Sequence, residues 1–300
     1  MVRHTDRSGR NAIGGALTAL AMALAGCADR QPAAGVAAPS SAELAAAAPL
    51  VAEGDAAWAA REDDAELRRA IGAWEKAAGA APGDRALLVK LARAHYLLAY
   101  GHLHGDQQRA ARIAAYEKGS RYGERALATN PAYAHLVSSG AHGDDALVAC
   151  TADDVPALHW YYANLARWVN EQGIQKAMLE RERILKLATR VNELDPGYFH
   201  GAGPRLLATY HAKAPGMAGG DLEQAKAEFE RSIAMAPDYF ATKVLMAELY
   251  ATKKRDKALF ERLLSEVVNA DPGVLPDVVP EQKLEQESAR VLLRRAGDLF

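Results

Sequence analysis

The sequence predicts an all-α fold, an α-solenoid of degenerate helical repeats with inserted loops and a terminal capping helix. Three observations predict it. Alanine supplies 65 of the 300 residues while β-branched runs are few, a mix that favours packed helices over sheets. From about residue 50 one theme recurs, two amphipathic helices and then an acidic or small residue before a proline, at Pro82, Pro131, Pro196, Pro237 and Pro272. Upstream of Pro82 stand Ala70, Trp74 and Ala77, and upstream of Pro237 stand Ala225, Phe229 and Ser232. In that spacing a large side chain of one helix fills the hole left by small ones on its neighbour.

The chain opens with an export signal. Arg3, Arg7 and Arg10 precede an apolar stretch at 12–25 that is too short to span a bilayer permanently. It runs into Leu24-Ala25-Gly26-Cys27, which resembles the lipobox of bacterial lipoproteins, where the Cys27 thiol is acylated and the chain is cut just before it. The predicted organisation is a signal peptide at 1–26, a flexible Ala, Pro, Gly and Ser-rich tether at 27–49 and a helical-repeat domain at 50–300. Cleavage removes three arginines and one aspartate and takes the formal charge from −2 to −4. Several acyl chains anchor a protein stably where one does not. Ala28, rather than Asp, after the cysteine points to the outer membrane. Cys150 is then the one cysteine left, so an internal disulfide is excluded; it reads as a buried small apolar residue.

The spacing of the repeats is tetratricopeptide-like but uneven. Gly119, Gly123 and Ala126 precede Pro131, and Ile184, Ala188 and Val191 precede Pro196, both departures from the small, aromatic, small pattern. The proline gaps of 49, 65, 41 and 35 residues exceed the repeat length in three places, so insertions are predicted at 101–106, 137–156 and 212–220. At 215–224, Gly219 and Gly220 suit a tight turn, Asp221 an N-cap and Gln224 a capping box. The last stretch, 280–300, reads as one terminal helix, acidic at its start and basic at Arg290, Arg294 and Arg295, as the helix dipole favours.

Several function classes are excluded or unsupported. The near-neutral balance, with no arginine stripe or lysine-rich tail, argues against a nucleic-acid binder. There is no phosphate-cradling loop with its Lys, no His-Glu-x-x-His and no nucleophile elbow, so the chain reads as non-enzymatic and without a cofactor. His102 and His104 near Asp106, and His142 near Asp144 and Asp145, lack a third ligand at a recognisable spacing and read as solvated loop polarity rather than a metal site.

The helix at 154–170 is the most informative interior segment. Trp160, Asn164, Arg167 and Trp168 recur at i, i+4, i+7 and i+8, so two indoles flank polar groups on one face. Such a face suits the wall of a ligand cavity, with Arg167 available to pair a carboxylate; core packing explains the same stripe.

The sequence resembles the TatT family, the T components of tripartite ATP-independent periplasmic (TRAP) transporters. The resemblance rests on GGDLEQAKAEFERSI at 219–233, KVLMAELY at 243–250, LFERLL at 259–264 and ARVLL at 289–293, and takes in the 158–168 helix and RVNELD at 190–195. Residues 120–134 and the loop at 102–104 match less well. The resemblance implies a periplasmic lipoprotein with an apolar-lined pore, assembling as a homotrimer, docking a periplasmic substrate-binding protein and passing an apolar or amphipathic organic acid. A tetratricopeptide-type adaptor for envelope assembly, without a small-molecule ligand, is the alternative.

The anchor reading yields a direct test. Cys27→Ala is expected to abolish incorporation of labelled fatty acid and to release the protein from the membrane fraction; unchanged labelling would put the anchor elsewhere.

Overall fold

The computed structural model describes residue 33 and residues 35–300, and Cys27 with its signal segment lies outside them. Among the described residues there is no strand, and no helix is long and apolar enough to cross a membrane. The helices are α1 (Ser41–Trp58), α2 (Asp64–Ala80), α3 (Arg85–Leu97), α4 (Arg109–Leu127), α5 (Pro131–Ser138), α6 (Gly143–Ala146), α7 (Val155–Gln172) and α8 (Ile174–Leu194). They continue as α9 (Tyr198–Lys213), α10 (Leu222–Met235), α11 (Phe240–Leu245), α12 (Thr252–Lys254), α13 (Lys257–Asn269), α14 (Val279–Arg294) and α15 (Ala296–Leu299). Two π-helical segments, Leu98–His102 and Met246–Ala251, follow α3 and α11.

Successive helices pair as hairpins, α1 with α2, α3 with α4, α7 with α8 and α9 with α10, while α4 also lies along α7 and α13 along α14. The small, large, small positions behave as their sizes require. Trp74 is buried between α1 and α2, its indole N–H donating to Asp55 Oδ1 at 3.1 Å, with Ala70 and Ala77 beside it. Phe229, Ala225 and Ser232 are likewise buried.

The glycines in place of larger residues on α4 have a steric reason. A Cβ on Gly119 would fall 2.2 Å from Asn164 Oδ1, and one on Gly123 2.7 Å from Tyr161 Cα. These two positions let α4 approach α7 at backbone distance.

Two sequence-based boundaries and one capping contact need correction. Residues 41–49, expected as tether, form the first half of α1, because Ser40 and Glu43 build a capping box: the Ser40 N–H donates to Glu43 Oε2 at 2.7 Å and the Glu43 N–H to Ser40 Oγ at 3.3 Å. The terminal segment is two helices, and α14 buries Gln282, Glu285, Gln286 and Ala289 instead of merely covering the stack. At α10, Asp221 caps as expected, accepting from the Glu223 and Gln224 N–H groups at 2.8 and 3.1 Å, but Gln224 turns to the Asp221 carboxylate, not to its backbone.

The 137–156 insertion is locked by Asp154, fully buried, which accepts from Asn130 Nδ2 at 2.7 Å and pairs with Arg85 at 2.9 Å. Cys150 is buried beneath it, and burial pushes its thiol up to about 12.

Phe229→Ala is expected to cost about 3–5 kcal/mol through the cavity it leaves. Gly123→Ala should cost about 1–3 kcal/mol by forcing α4 from α7. Urea melts followed by circular dichroism check both.

Candidate functional site

A cavity of about 340 Å³ lies among α3, α7, α8, α9 and α14. Its position follows from the rotation of α7. At roughly 100° per residue, Trp160, Ala163, Arg167 and Asn170 fall within roughly 80° of one another, and these are the residues of that face that line the cavity. Asn164 and Trp168 sit on the adjacent flank. The structure therefore brings Trp160 and Arg167 into the cavity wall and excludes the other two members of the predicted stripe.

Asn164 is fully buried against α3 and α4, where its amide donates to the Ala92 carbonyl at 2.9 Å and to the Trp160 carbonyl at 2.8 Å. Trp168 packs into both adjoining cores, its Nε1 sealed without a hydrogen-bond partner and Lys176 Nζ 5.2 Å from its ring centre. A period of 3.6 read over only two turns placed a helix-packing stripe and a cavity stripe on one face; the cavity stripe proper runs through Ala163 and Asn170.

One end of the cavity is an aromatic cage. Phe199 meets Trp160 at 5.0 Å, His159 at 5.3 Å and Tyr239 at 5.8 Å between ring centres. It reaches them because Phe199, His200 and Gly201 are all left-handed, with φ of 42°, 59° and 74°. Such a conformation costs roughly 1–2 kcal/mol for each residue with a Cβ. Arg205, buried, holds the turn: its guanidinium donates to the His200 carbonyl at 2.7 Å and to the Phe199 carbonyl at 2.9 Å, and lies over the Tyr239 ring at 4.6 Å. Arg93 is spoken for as well. It pairs with Glu281 at 2.6 Å, and Arg61 takes the other oxygen at 2.9 Å.

Halfway along α7 the electrostatics change. Arg167 has no hydrogen-bond or ion-pair partner among the described residues, and its guanidinium lies 4.8 Å from the centre of the Tyr100 ring. Tyr100 donates to Glu285 Oε1 at 2.9 Å. Burial raises the Glu285 carboxyl to about 7, against the opposing pull of Tyr100 and Arg167. Lys213, from α9, lines the cavity while remaining exposed, and the desolvation of its surroundings, with the Arg167 charge next, lowers its ammonium to about 8.

Beyond Arg167 the wall is mostly apolar, with Ile174, Ala177, Met178, Ala214 and Pro215, and carries one further cation, Arg181, which donates to the Met178 carbonyl at 2.6 Å. Ile174 is 65% exposed, and Met217, between lining residues Pro215 and Ala218, is 92% exposed. The cavity thus joins an apolar mouth, an unpaired cation midway and an aromatic end.

The family model for the TRAP transporter T-component matches residues 74–300, every helix that lines the cavity among them. The chain belongs to that family. The match runs through 102–104 and 120–134, where the sequence comparison by motif is weaker. This T-component is also 27% identical over 195 residues to an uncharacterized protein of Treponema pallidum (strain Nichols), an alignment covering 62% of this chain and 59% of the relative. The family is that of the T-component of TRAP transporters, and the chain spans about 59% of the length of the relative it matches.

Motif reading missed Arg93, Phe199, Lys213, Glu281 and Glu285. The polar triplet Gln282, Glu285 and Gln286, spaced i, i+3 and i+4, was the available signal that α14 buries a face. Among the described residues no cluster of three metal-ligating side chains occurs; His104 Nε2 lies 2.9 Å from the Gly101 carbonyl and His102 3.9 Å from Asp64.

Arg205→Ala is expected to destabilise the fold by about 2–4 kcal/mol, since it frees two carbonyls and a strained turn together. A red-shifted Trp160 emission below the melting transition would accompany release of Phe199.

Proposed function

We propose that this T-component is a lipid-anchored periplasmic protein, held through Cys27, that docks a periplasmic substrate-binding protein and takes an amphipathic organic acid into its cavity. The observation that carries the reading is Arg167, an unpaired guanidinium in a largely apolar cavity. A buried unmatched cation is costly, and an anion is the natural counter-charge. An arginine can hold a carboxylate through two parallel hydrogen bonds while Trp160 and Tyr96, whose rings stand 5.6 Å apart, cover the apolar part.

The exposed rim at Ile174 and Met217 suits the docking side. An apolar ligand handed between proteins has to stay out of water, and an apolar collar around the mouth provides that seal.

Tryptophan fluorescence of the purified protein, titrated with decanoate, tests the site. Arg167→Gln is expected to weaken binding by at least about tenfold. Trp160→Ala should weaken it while Trp168→Ala leaves it unchanged. Binding indifferent to Arg167 would sink the anion reading and favour a ligand-free adaptor.

Affinity should also fall with pH. Between about pH 6 and about pH 9 Glu285 gains a negative charge and Lys213 loses a positive one, and both changes disfavour an anion, by roughly tenfold or more in total. Glu285→Gln should remove the part of that fall centred near 7.

A further inference from the structure

The aromatic end of the cavity holds a polar group that nothing in the protein uses. His159 is 4% exposed, lines the cavity, and is wedged between Trp160 at 4.7 Å and Tyr198 at 5.4 Å, ring centre to ring centre. Neither ring nitrogen has a hydrogen-bond partner among the described residues, and Nδ1 is sealed from any solvent. Nε2 is therefore the ring nitrogen left to face open space.

The protonation follows from the surroundings. Burial first, then the charges of Arg205 and Arg93, hold the imidazole neutral, so the ring carries one N–H and one lone pair. A sealed N–H without a partner is less well tolerated than a sealed lone pair, which favours the lone pair at Nδ1 and the N–H at Nε2. The charged groups at this end are committed, Arg93 to Glu281 and Arg205 to the carbonyls of Phe199 and His200, while Tyr96 and Tyr239 bring phenolic hydroxyls to the same wall.

We propose that His159 Nε2 donates a hydrogen bond to a second oxygen of the cavity's ligand, so that the ligand is an amphipathic acid with a polar oxygen at the far end of its chain. The proposal rests on the reading that Arg167 receives the carboxylate. Eight residues of α7 separate the two groups, roughly 12 Å along the helix axis. The wall between them is apolar or aromatic, through Ala163, Trp160 and Tyr96. A ligand matched to this wall is polar at both ends and apolar between. A simple fatty acid would satisfy Arg167 and leave the His159 N–H facing methyl groups.

Calorimetric titration of the full chain with decanoate, ω-hydroxydecanoate and sebacate tests it. The hydroxy acid and the diacid are expected to bind roughly tenfold more tightly than decanoate, because a site that offers a buried donor discriminates against a ligand lacking the acceptor. His159→Phe should bring the three ligands together at the decanoate affinity, and His159→Gln, which keeps a donor, should retain part of the preference. Equal binding of the three ligands by the wild type, or a preference that survives in His159→Phe, overturns the proposal. If decanoate binds through Arg167 without any chain-end preference, only the His159 assignment falls; if none of the three binds, or binding ignores Arg167→Gln, the anion site falls and this assignment with it. Should His159→Phe prove unfolded by circular dichroism, the wild-type ratio and His159→Gln decide the matter.

Discussion

The backbone-distance contact of α4 with α7 is the constraint on which the site depends. Gly119 and Gly123 admit Asn164 and the Tyr161 backbone so closely that α7 is held in register against α4. With Asn164 tied to the Ala92 and Trp160 carbonyls, that register turns the Trp160, Ala163 and Arg167 face away from α4. A single methyl on either glycine would push α7 outward and change what faces the cavity, because packed interiors absorb volume by shifting whole elements. The degenerate look of that repeat in the sequence is thus the mark of a tighter contact than the usual small, aromatic, small pattern makes.

The far end of the chain completes the same wall. Glu281 on α14 gathers Arg61 and Arg93, residues more than 180 positions away in the sequence. Both guanidinium groups also lie over the Trp58 ring, Arg61 at 4.7 Å and Arg93 at 5.2 Å. A half-buried carboxylate shared by two guanidinium groups makes two charge-assisted contacts and leaves a net charge of +1, which the Trp58 ring face helps to accommodate. The C-terminal helix therefore joins the first hairpin to the cavity rim, which is more than the end cap that its charge polarity suggested.

The all-α class, the packing roles of Trp74 and Phe229 and the membership of Trp160 and Arg167 in one helix face were legible in the sequence, because each rests on local spacing or residue size. The α1 start at Ser41 was legible too, through Ser40 and Glu43, but an alanine-rich run reads equally as tether until the helix finds Trp74 to pack against. The rest was not local. Whether Asn164 and Trp168 face the cavity depends on how close α4 comes, and that distance is set by glycines forty residues earlier. The left-handed turn at Phe199 and His200 leaves no propensity signal, since two residues that disfavour the conformation are held there by Arg205 from the next turns of the same helix.

The cavity's cations divide by what they already hold. Arg93 and Arg205 are matched by a carboxylate and by backbone carbonyls, so their work is structural: one ties α14 to α3, the other fixes the aromatic cage. Arg167 and Lys213 make no ion pair at contact distance; Glu248 acts on both from farther off, and burial raises Glu285, which accepts from Tyr100, to about 7. A fold that needed only stability would be better served by an apolar residue at 167, because unpaired charge in a low-dielectric wall is unfavourable until something neutralises it. The charge without an ion pair thus sits midway and, with Arg181, toward the mouth, while the structural charge sits at the aromatic end. That separation lets an anion enter and leave without disturbing the ion pairs that hold the walls together.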